Sequence, residues 1–305
     1  MMIIFGLPVN TLKIREALYM NGGNKKVTLP DGRLIPQLGQ GTWRMGENAA
    51  KRRAETESLR AGIKMGMTLI DTAEMYGSGG AEEITGEAIK DFDREDLFLV
   101  SKVYPYNAGR ANIFKSCENS LKRLSVDRLD LYLLHWRGSV PLRETVECMQ
   151  KLVRDGLIKG WGVSNFDLQD MQELWSVPGG DDCQVNQVLY HLGSRGIEFD
   201  LLPWMNDKKI PVMAYSPLAQ AGRLKNGIMQ NKLLMEVCRR RNAQPGQILL
   251  AFVLQMNMIA IPKAGSPAHI LENAASLEIK LTGDDIALLS EAYPAPVGKM
   301  PLDMS

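Results

Sequence analysis

The chain has 305 residues and carries 36 basic and 35 acidic side chains, which gives a formal net charge of +1 at pH 7. This charge balance gives no reason to expect a nucleic acid or an anionic membrane surface as a partner. No apolar run reaches the roughly 18 residues that a membrane-spanning helix needs. The composition therefore predicts a globular protein with a large core and no membrane partner.

Cysteine and histidine are sparse. The four cysteines, at positions 117, 148, 183 and 238, are far apart, and there are only three histidines. No CxxC unit or zinc-ligand spacing occurs, so we expect no metal site. Isolated cysteines in a chain of this length are typical of reduced thiols, which favours a cytoplasmic protein.

The N-terminal segment opens with a short apolar run but lacks the basic region and the cleavage site of a signal peptide. We expect residues 1–25 to form a loosely attached extension. The next segment, KKVTLPDGRLIP, predicts a β-hairpin. Its two short runs flank Asp31-Gly32, a dipeptide that favours a two-residue turn.

Short apolar runs then alternate with amphipathic stretches. They are Leu-rich or β-branched and nearly continuous in apolar character, as in parallel strands covered by helices. In chain order they are PQLGQGT (36–42), MTLID (67–71), LFLVSK (97–102), LDLYLLH (129–135), IKGWGVSN (158–165), CQVNQ (183–187), IPVMAYS (210–216) and MIAIPK (258–263).

The stretches between these runs have helical periodicity. Apolar residues recur on one helical face at positions 113, 117, 121 and 124 of one stretch. In the stretch 141–155 they recur as Leu142, Val146, Met149 and Val153. Both patterns predict helices with one apolar stripe, and Pro141 suits the first turn of the second helix.

Eight strand-helix units predict an α/β fold, a (β/α)8 TIM barrel, with the N-terminal hairpin and an extra C-terminal helix. No low-complexity linker divides the chain, so we expect one domain over residues 1–305. A doubly wound sheet is the alternative from the pattern alone. The lack of a GxGxxG turn after an early strand weakens that alternative.

Polar side chains stand at the ends of the predicted strands, which in a barrel line a single mouth. They are Asp71, Lys102, His135, Ser164, Asn165, Gln187, Tyr215 and Ser216. A lysine held by a carboxylate would stabilise a tyrosinate and lower the pKa of that tyrosine. Tyr76, on the loop that follows Asp71, is the candidate proton donor. A neutral His135 would orient a carbonyl oxygen.

The sequence also resembles a known family. The ordered motifs DTAEMYGSGGAEEITGEAI (71–89), FLVSK, DLYLLH, GWGVSNF (160–166), VNQVLYH (185–191), YSPL (215–218) and IPK (261–263) are similar to those of the aldo-keto reductases. The resemblance covers residues 27–293. It is closest to bacterial reductases of methylglyoxal and other small aldehydes, through GSGGAEE and HLGSRGIEFDLLPW (191–204).

The resemblance implies NADPH-dependent reduction of aldehydes or ketones. It implies Tyr76 as general acid, Lys102 and Asp71 as the groups that tune it, and His135 as the group that orients the substrate. The implied nicotinamide contacts are Thr42, Ser164, Asn165, Gln187 and a stacking Tyr215; the implied pyrophosphate contacts are Ser216 and Leu218. Lys263 would bind the 2′-phosphate, Glu272 and Asn273 the adenine, and Trp43 and Trp136 would be walls of the substrate pocket.

Three positions depart from the family pattern. Ala264 and His269 stand where the family often has a hydroxyl and an arginine near the 2′-phosphate, which weakens the preference for NADPH. His269 would still assist when protonated. Arg137 replaces a frequent proline and would place an adjustable charge at the pocket rim. The short tail after Tyr293 makes an extensive specificity loop doubtful.

Other functions remain open from the sequence. Barrels of this family also serve as cytoplasmic subunits of potassium channels, and such subunits can retain the four catalytic residues. A barrel hydrolase would need paired carboxylates at the strand ends, where only Asp71 occurs. We expect a monomer, because no long apolar stripe is left unassigned. The physiological substrate does not follow from the sequence.

Overall fold

The structure, a computed structural model, describes residues 23–220 and 227–304. Eight parallel strands follow one another in chain order around one sheet. They are β3 (Gln40–Gly41), β4 (Leu69–Asp71), β5 (Phe98–Val103), β6 (Leu131–Leu134), β7 (Trp161–Ser164), β8 (Asn186–Leu189), β9 (Val212–Tyr215) and β10 (Ile259–Ala260). The Gly39 N–H donates to the Ala260 carbonyl at 2.8 Å, and β-bridges join the first and last strands. The sheet therefore closes into the predicted barrel.

Helices cover the outside of this sheet. They are α1 (Arg52–Lys64), α2 (Gly80–Ile89), α3 (Ile113–Leu124), α4 (Leu142–Arg154), α5 (Leu168–Ser176), α6 (Leu201–Asp207), α7 (Lys232–Arg241), α8 (Pro245–Gln255), α9 (Pro267–Ala275) and α10 (Gly283–Ala292). Helix α10 is the predicted extra C-terminal helix, and β9 and β10 are joined by two helices rather than one. Within the described residues, no helix is long and apolar enough to span a membrane.

The predicted hairpin is formed by β1 (Lys26–Thr28) and β2 (Leu34–Pro36). Its turn is not the expected two-residue type. The Gly32 N–H donates to the Leu29 carbonyl and the Leu29 N–H to the Arg33 carbonyl, so the loop has three residues and Gly32 takes a φ of +85°. Pro30 after Leu29 favours this longer loop, because proline presets the φ of the first turn position.

The hairpin closes one end of the barrel. Its buried Val27, Leu29 and Ile35 belong to one apolar cluster with inward-facing side chains of the barrel strands. Of the predicted N-terminal extension, residues 1–22 lie outside the described residues. Asn24 is attached, because its side chain bonds the backbone N–H and carbonyl of Leu38 at 3.0 and 2.7 Å.

Three further details of the predicted elements are wrong. Helix α4 buries Leu152, whereas Val153 is 37% exposed, because the apolar face drifts around a helix of 3.6 residues per turn. Pro141 precedes this helix as its N-cap. Strand β8 extends to Leu189 instead of ending at Gln187, because Val188 and Leu189 continue the pairing with β9.

Candidate active site

The alternation of side chains along the strands decides which groups reach the barrel interior. On β5, Phe98 and Val100 belong to the interior cluster, so Lys102 is the next inward position. Leu69 on β4 places Asp71 inward by the same rule, and Leu131 and Leu133 on β6 place His135 inward. The ionisable groups thus occupy the last inward positions of three neighbouring strands.

Lys102 is the centre of this group and is fully buried. Its Nζ atom donates to Asp71 Oδ2 at 2.7 Å, to the Thr72 carbonyl at 2.9 Å and to the Tyr76 hydroxyl oxygen at 3.2 Å. An ammonium group has three hydrogens to donate, so all three are used. The Tyr76 oxygen accepts one of them, which leaves the hydrogen of the phenol available to another acceptor.

The pKa of Tyr76 differs from the expectation. Burial raises the pKa of Tyr76 well above its ordinary value, and the Asp71 carboxylate raises it further. The pKa is therefore raised and not lowered as expected, although Lys102 donates a hydrogen bond to the phenol oxygen. The phenol therefore carries its proton at neutral pH, which is the form that a proton donor requires.

Burial also affects the other ionisable groups. It lowers the pKa of Lys102 and raises the pKa of Asp71, while the ion pair between them opposes both shifts. Burial, assisted by the charge of Lys102, lowers the pKa of His135 well below its usual range. A neutral imidazole follows, as predicted. The ring of His135 lies edge-on to that of Tyr76, with 5.5 Å between centroids.

Tyr76 begins a short helical turn that runs into α2 through Gly77, Ser78 and Gly79, all with positive φ. This turn packs directly on the loop that follows β3. A Cβ atom at Gly46 would lie 2.3 Å from the carbonyl carbon of Gly80. The contact holds Tyr76 beside Trp43, whose ring lies edge-on to it at 5.0 Å.

The predicted nicotinamide residues surround the same group. Gln187 Nε2 donates to Asp71 Oδ1 at 2.7 Å. Asn165, with a φ of +58°, donates from Nδ2 to the His135 carbonyl at 3.1 Å and to Ser164 Oγ at 3.2 Å. The Tyr215 hydroxyl donates to Asn165 Oδ1 at 2.8 Å. The structure thus brings these side chains into one hydrogen-bonded set with the catalytic candidates.

Thr42 and the two tryptophans also lie at this mouth. The N–H and the hydroxyl of Thr42 both donate to the Asp71 carbonyl at 3.0 Å. Trp43 is 44% exposed, and the Trp136 ring is 5.0 Å from that of His135. The two tryptophan rings therefore lie beside Tyr76 and His135, respectively.

The predicted phosphate and adenine residues lie elsewhere, on the segment from β10 into α9. Lys263 is half-buried and forms a β-bridge with Gly41, and Ser266 caps the N-terminus of α9. Asn273 is buried, and its Nδ2 atom has no hydrogen-bond partner among the described residues. His269 and Glu272 are exposed on the same helix, while Ser216 and Leu218 follow β9 and are half-buried.

Several of these groups suit a nicotinamide dinucleotide. An unpaired buried amide is costly unless a ligand satisfies it, and Asn273 supplies such an amide. The N-terminus of a helix attracts phosphate groups, and α9 begins four residues after Lys263. The mouth adds amide side chains at Asn165 and Gln187 that suit a carboxamide. The residues present therefore fit a phosphorylated nicotinamide dinucleotide.

Arg137 does not behave as expected. Its guanidinium donates to the carbonyls of Gly138 and Val140 and pairs with Glu173 at 2.9 Å. The side chain is therefore held by protein groups rather than adjustable at the rim. These acceptors come from its own loop and from α5, and no local pattern in the sequence indicates the contact with α5.

Sequence reasoning missed two residues beside the site. Tyr104 lies after β5, and its ring is 5.0 Å from that of Trp136. Glu74, two residues before Tyr76, accepts a hydrogen bond from the Tyr104 N–H. Two tyrosines, Tyr104 and Tyr106, stand shortly after the FLVSK motif. This pair was a signal that could have located the aromatic residues beside Trp136.

The C-terminal tail reaches the loops that follow the strands. Asp303 accepts a hydrogen bond from the Ser194 hydroxyl, and the tail forms a cavity with Asp167 and Leu189. Short as it is, the tail borders the β7 and β8 side of the mouth. Across residues 23–220 and 227–304, no group of three or more His, Cys, Asp or Glu side chains could hold a metal ion.

Comparison with known proteins finds several similar reductases. A methylglyoxal reductase of Escherichia coli, YeaE, is 57% identical over 271 residues, which cover 88% of this chain and 95% of that protein. A glyoxal reductase of Bacillus subtilis is 35% identical and covers 85% and 90% of the two chains. The crystal structure of an aldo/keto reductase from Klebsiella pneumoniae with NADP and acetate is 53% identical. It has a TM-score of 0.89 and covers 92% of this chain and all of that one.

The family itself matches over residues 37–294, which is most of the chain. This match includes each of the strands β3–β10, the turn that carries Tyr76 and the segment from Lys263 to Asn273. With the arrangement of Asp71 and Lys102 described above, the chain belongs to the aldo/keto reductase family and is an oxidoreductase.

Proposed function

We propose that the protein reduces small aldehydes and ketones, such as methylglyoxal, to alcohols with NADPH, and that Tyr76 donates the proton. One observation carries the proposal. Lys102 uses all three of its hydrogens on Asp71, Thr72 and Tyr76, so the phenol oxygen accepts and its own hydrogen remains for a substrate oxygen. A bacterial methylglyoxal reductase that is 57% identical supports the choice of substrate class.

NADPH supplies the hydride when it is bound. The chain's own part is to hold the carbonyl oxygen between the Tyr76 hydroxyl and the neutral His135 ring, which lie close together. As negative charge develops on that oxygen, Tyr76 transfers its proton. The ammonium group of Lys102 stabilises the resulting phenolate oxygen, because it already donates a hydrogen bond to it. Asp71 keeps Lys102 charged in its buried position.

The remaining residues hold the cofactor. Ser164, Asn165 and Gln187 would bind the carboxamide, Tyr215 would lie against the ring, and Thr42 would approach the ribose. Ser216 and Leu218 would lie along the pyrophosphate. Lys263, with His269 in its protonated form, would bind the 2′-phosphate, and Glu272 and Asn273 would bind the adenine. Trp43 and Trp136 would bound the substrate.

We propose that the enzyme acts as a cytoplasmic monomer of one domain, with buried thiols at all four cysteines. The channel-subunit alternative is not favoured, since two of the similar curated proteins are reductases of methylglyoxal and glyoxal. Rapid steady-state turnover of NADPH with several aldehydes would support the enzyme over the subunit.

Tyr76→Phe tests the proposal directly. We expect kcat for methylglyoxal to fall about 10²–10⁴-fold, the range for loss of a positioned general acid. The Kd for NADPH should stay within twofold, because the phenylalanine keeps the ring. The matched control, Tyr293→Phe, removes a phenol hydroxyl outside the site and should keep wild-type kcat. A Tyr76→Phe enzyme with more than half of the wild-type kcat would exclude Tyr76 as the acid.

A further inference from the structure

The loops that follow β4 and β5 are joined by one carboxylate, that of Glu74. Its Oε1 atom accepts hydrogen bonds from the Tyr104 N–H at 2.7 Å and from Asn107 Nδ2 at 3.1 Å. The backbone N–H of Glu74 donates to the Lys102 carbonyl at 3.3 Å. Glu74 thus fixes both ends of the turn 104–107 to the segment that leads into Tyr76.

This turn supports a wall of aromatic rings. Tyr104 lies edge-on to Trp136 at 5.0 Å, and Trp136 is 5.0 Å from the ring of His135. Pro105 packs on the next loop so closely that a Cβ at Gly138 would lie 2.6 Å from the proline Cβ. The wall therefore continues outward from the catalytic histidine, and its outer end depends on where the turn sits.

We propose that Glu74 is a positioning residue that sets substrate selectivity, by fixing the aromatic wall against which the far part of an extended aldehyde packs. The inference rests on the proposed function. A small aldehyde held between Tyr76 and His135 does not reach Tyr104, which lies one ring beyond Trp136. An aromatic aldehyde extends toward that ring. Glu74 therefore affects the second substrate and leaves the first nearly unchanged.

The contacts of Tyr76 explain why Glu74 acts on the wall and not on the proton donor. The Tyr76 hydroxyl is held by Lys102, and its turn is held by the contact between Gly46 and Gly80. Neither contact involves the Glu74 carboxylate. Removing that carboxylate leaves the Tyr104 N–H and the Asn107 amide without their acceptor, so the turn loses its fixed position while the proton donor keeps its own.

The test compares Glu74→Ala, Glu74→Gln and the control Glu83→Ala, which removes an exposed carboxylate of α2 that pairs with Arg52 of α1. KM and kcat are measured with NADPH for methylglyoxal and for 4-nitrobenzaldehyde. We expect Glu74→Ala to raise KM for the aromatic aldehyde about threefold to tenfold, the worth of one aromatic contact. KM for methylglyoxal and both kcat values should stay within about twofold of wild type. Glutamine retains an acceptor oxygen, so Glu74→Gln should behave as wild type.

A second readout does not depend on activity. Amide hydrogen exchange at Tyr104 should be faster in Glu74→Ala than in the wild type, and unchanged in Glu83→Ala. Should Glu74→Ala fail to fold, Asn107→Ala removes one of the two donors and should shift the ratio of KM values in the same direction by a smaller factor. The Asn107 side chain is half-buried, which favours a folded variant.

Equal changes in KM for the two aldehydes, or a common fall in kcat, would overturn the inference, because Glu74 would then act on Tyr76 or on the whole site. Unchanged exchange at Tyr104 would overturn it as well. A wild-type enzyme that reduces neither aldehyde would instead contradict the proposed function. The exchange measurement would then still decide whether Glu74 fixes the turn.

Discussion

Within the segment 261–269, Lys263 is the only residue with a permanent charge, and it is the predicted contact of the 2′-phosphate. Its neighbour Ala264 is buried and apolar, and His269 is exposed on the first turn of α9. The ammonium group lies 3.0 Å from where a Cβ of Gly265 would stand, so it bends over the start of the loop that leads to α9. Selectivity between NADPH and NADH should therefore depend on this lysine.

Lys263→Ala tests that dependence. We expect the Kd for NADPH to rise about 10- to 150-fold, since a hydrogen bond to a charged group contributes about 1.5–3 kcal/mol. The Kd for NADH should change little, because it lacks the 2′-phosphate. Fluorescence titration of both nucleotides measures the two constants. The control Lys64→Ala removes an exposed lysine at the end of α1. Equal weakening of both nucleotides would make Lys263 a structural residue.

The pattern of strand ends indicated which ionisable residues the structure brings together, but not the contacts between loops. Asp71, Lys102 and His135 could be identified because each ends an apolar run. Glu74 could not, because its partner Tyr104 lies on another loop and loop geometry is not readable from one sequence. The pKa of Tyr76 was expected to be lowered by Lys102, whereas burial and Asp71 raise it. The sequence names the charges near the phenol but not how deeply the phenol is buried.

At the scale of elements, the turn between β4 and α2 is the most constrained part of the site. Three consecutive residues, Gly77 to Gly79, have positive φ, and the turn touches Gly46 backbone to backbone. A side chain at Gly46 has no space, because its Cβ would stand 2.3 Å from the Gly80 carbonyl carbon. The position of Tyr76, the proposed proton donor, is therefore set by a contact between two loops.

Gly46→Ala should move that turn. We expect kcat to fall at least about tenfold, since small displacements of a catalytic group have large effects, while the Kd for NADPH changes less than threefold. Gly32→Ala is a matched control: Gly32 has a similar φ of +85°, but a Cβ there meets nothing within 4 Å. It should lower stability by about 1 kcal/mol and keep wild-type kcat. Equal kcat in the two variants would contradict the role of the loop contact.

The elements themselves followed from the sequence because parallel strands covered by helices are short and apolar. All eight strands occur where a run was predicted. The predicted length of the hairpin turn and the predicted end of β8 were wrong by one or two residues, because such boundaries depend on pairing with a neighbouring strand. Helices α7 and α8 both lie between β9 and β10, and no apolar strand-like run separates them. The alternation of runs and stretches therefore did not predict α8 as a separate helix.

For the stability of the whole molecule, the important feature is that Asp71 and Lys102 form an ion pair inside the core. Both side chains are at most 3% exposed. Breaking a buried pair typically costs about 3–5 kcal/mol, whereas replacing both charges is often neutral or stabilising. We expect Lys102→Met to unfold at a lower temperature than the wild type. The double variant Lys102→Met/Asp71→Asn should recover that loss, because asparagine keeps an acceptor for Gln187.

The stability of Lys102→Met should also depend on pH. Without Lys102, burial holds the pKa of Asp71 above its unfolded value, so the folded state favours the protonated acid. Stability is then greatest at low pH and decreases as the pH rises above the ordinary range of aspartate. Thermal melts at pH 5 and pH 8 should show a larger deficit for Lys102→Met at pH 8 and none for the double variant. A deficit independent of pH would contradict this account.

The buried ion pair has an evolutionary consequence. If the double variant folds as well as the wild type or better, then the barrel does not need these charges in order to fold, and only the reaction retains them. Random substitutions selected for thermal resistance alone would then accumulate at Asp71 and Lys102 together and yield a robust but inert barrel. A selection that also demands turnover would keep both residues and find its stabilising changes elsewhere, on the helices and in the hairpin.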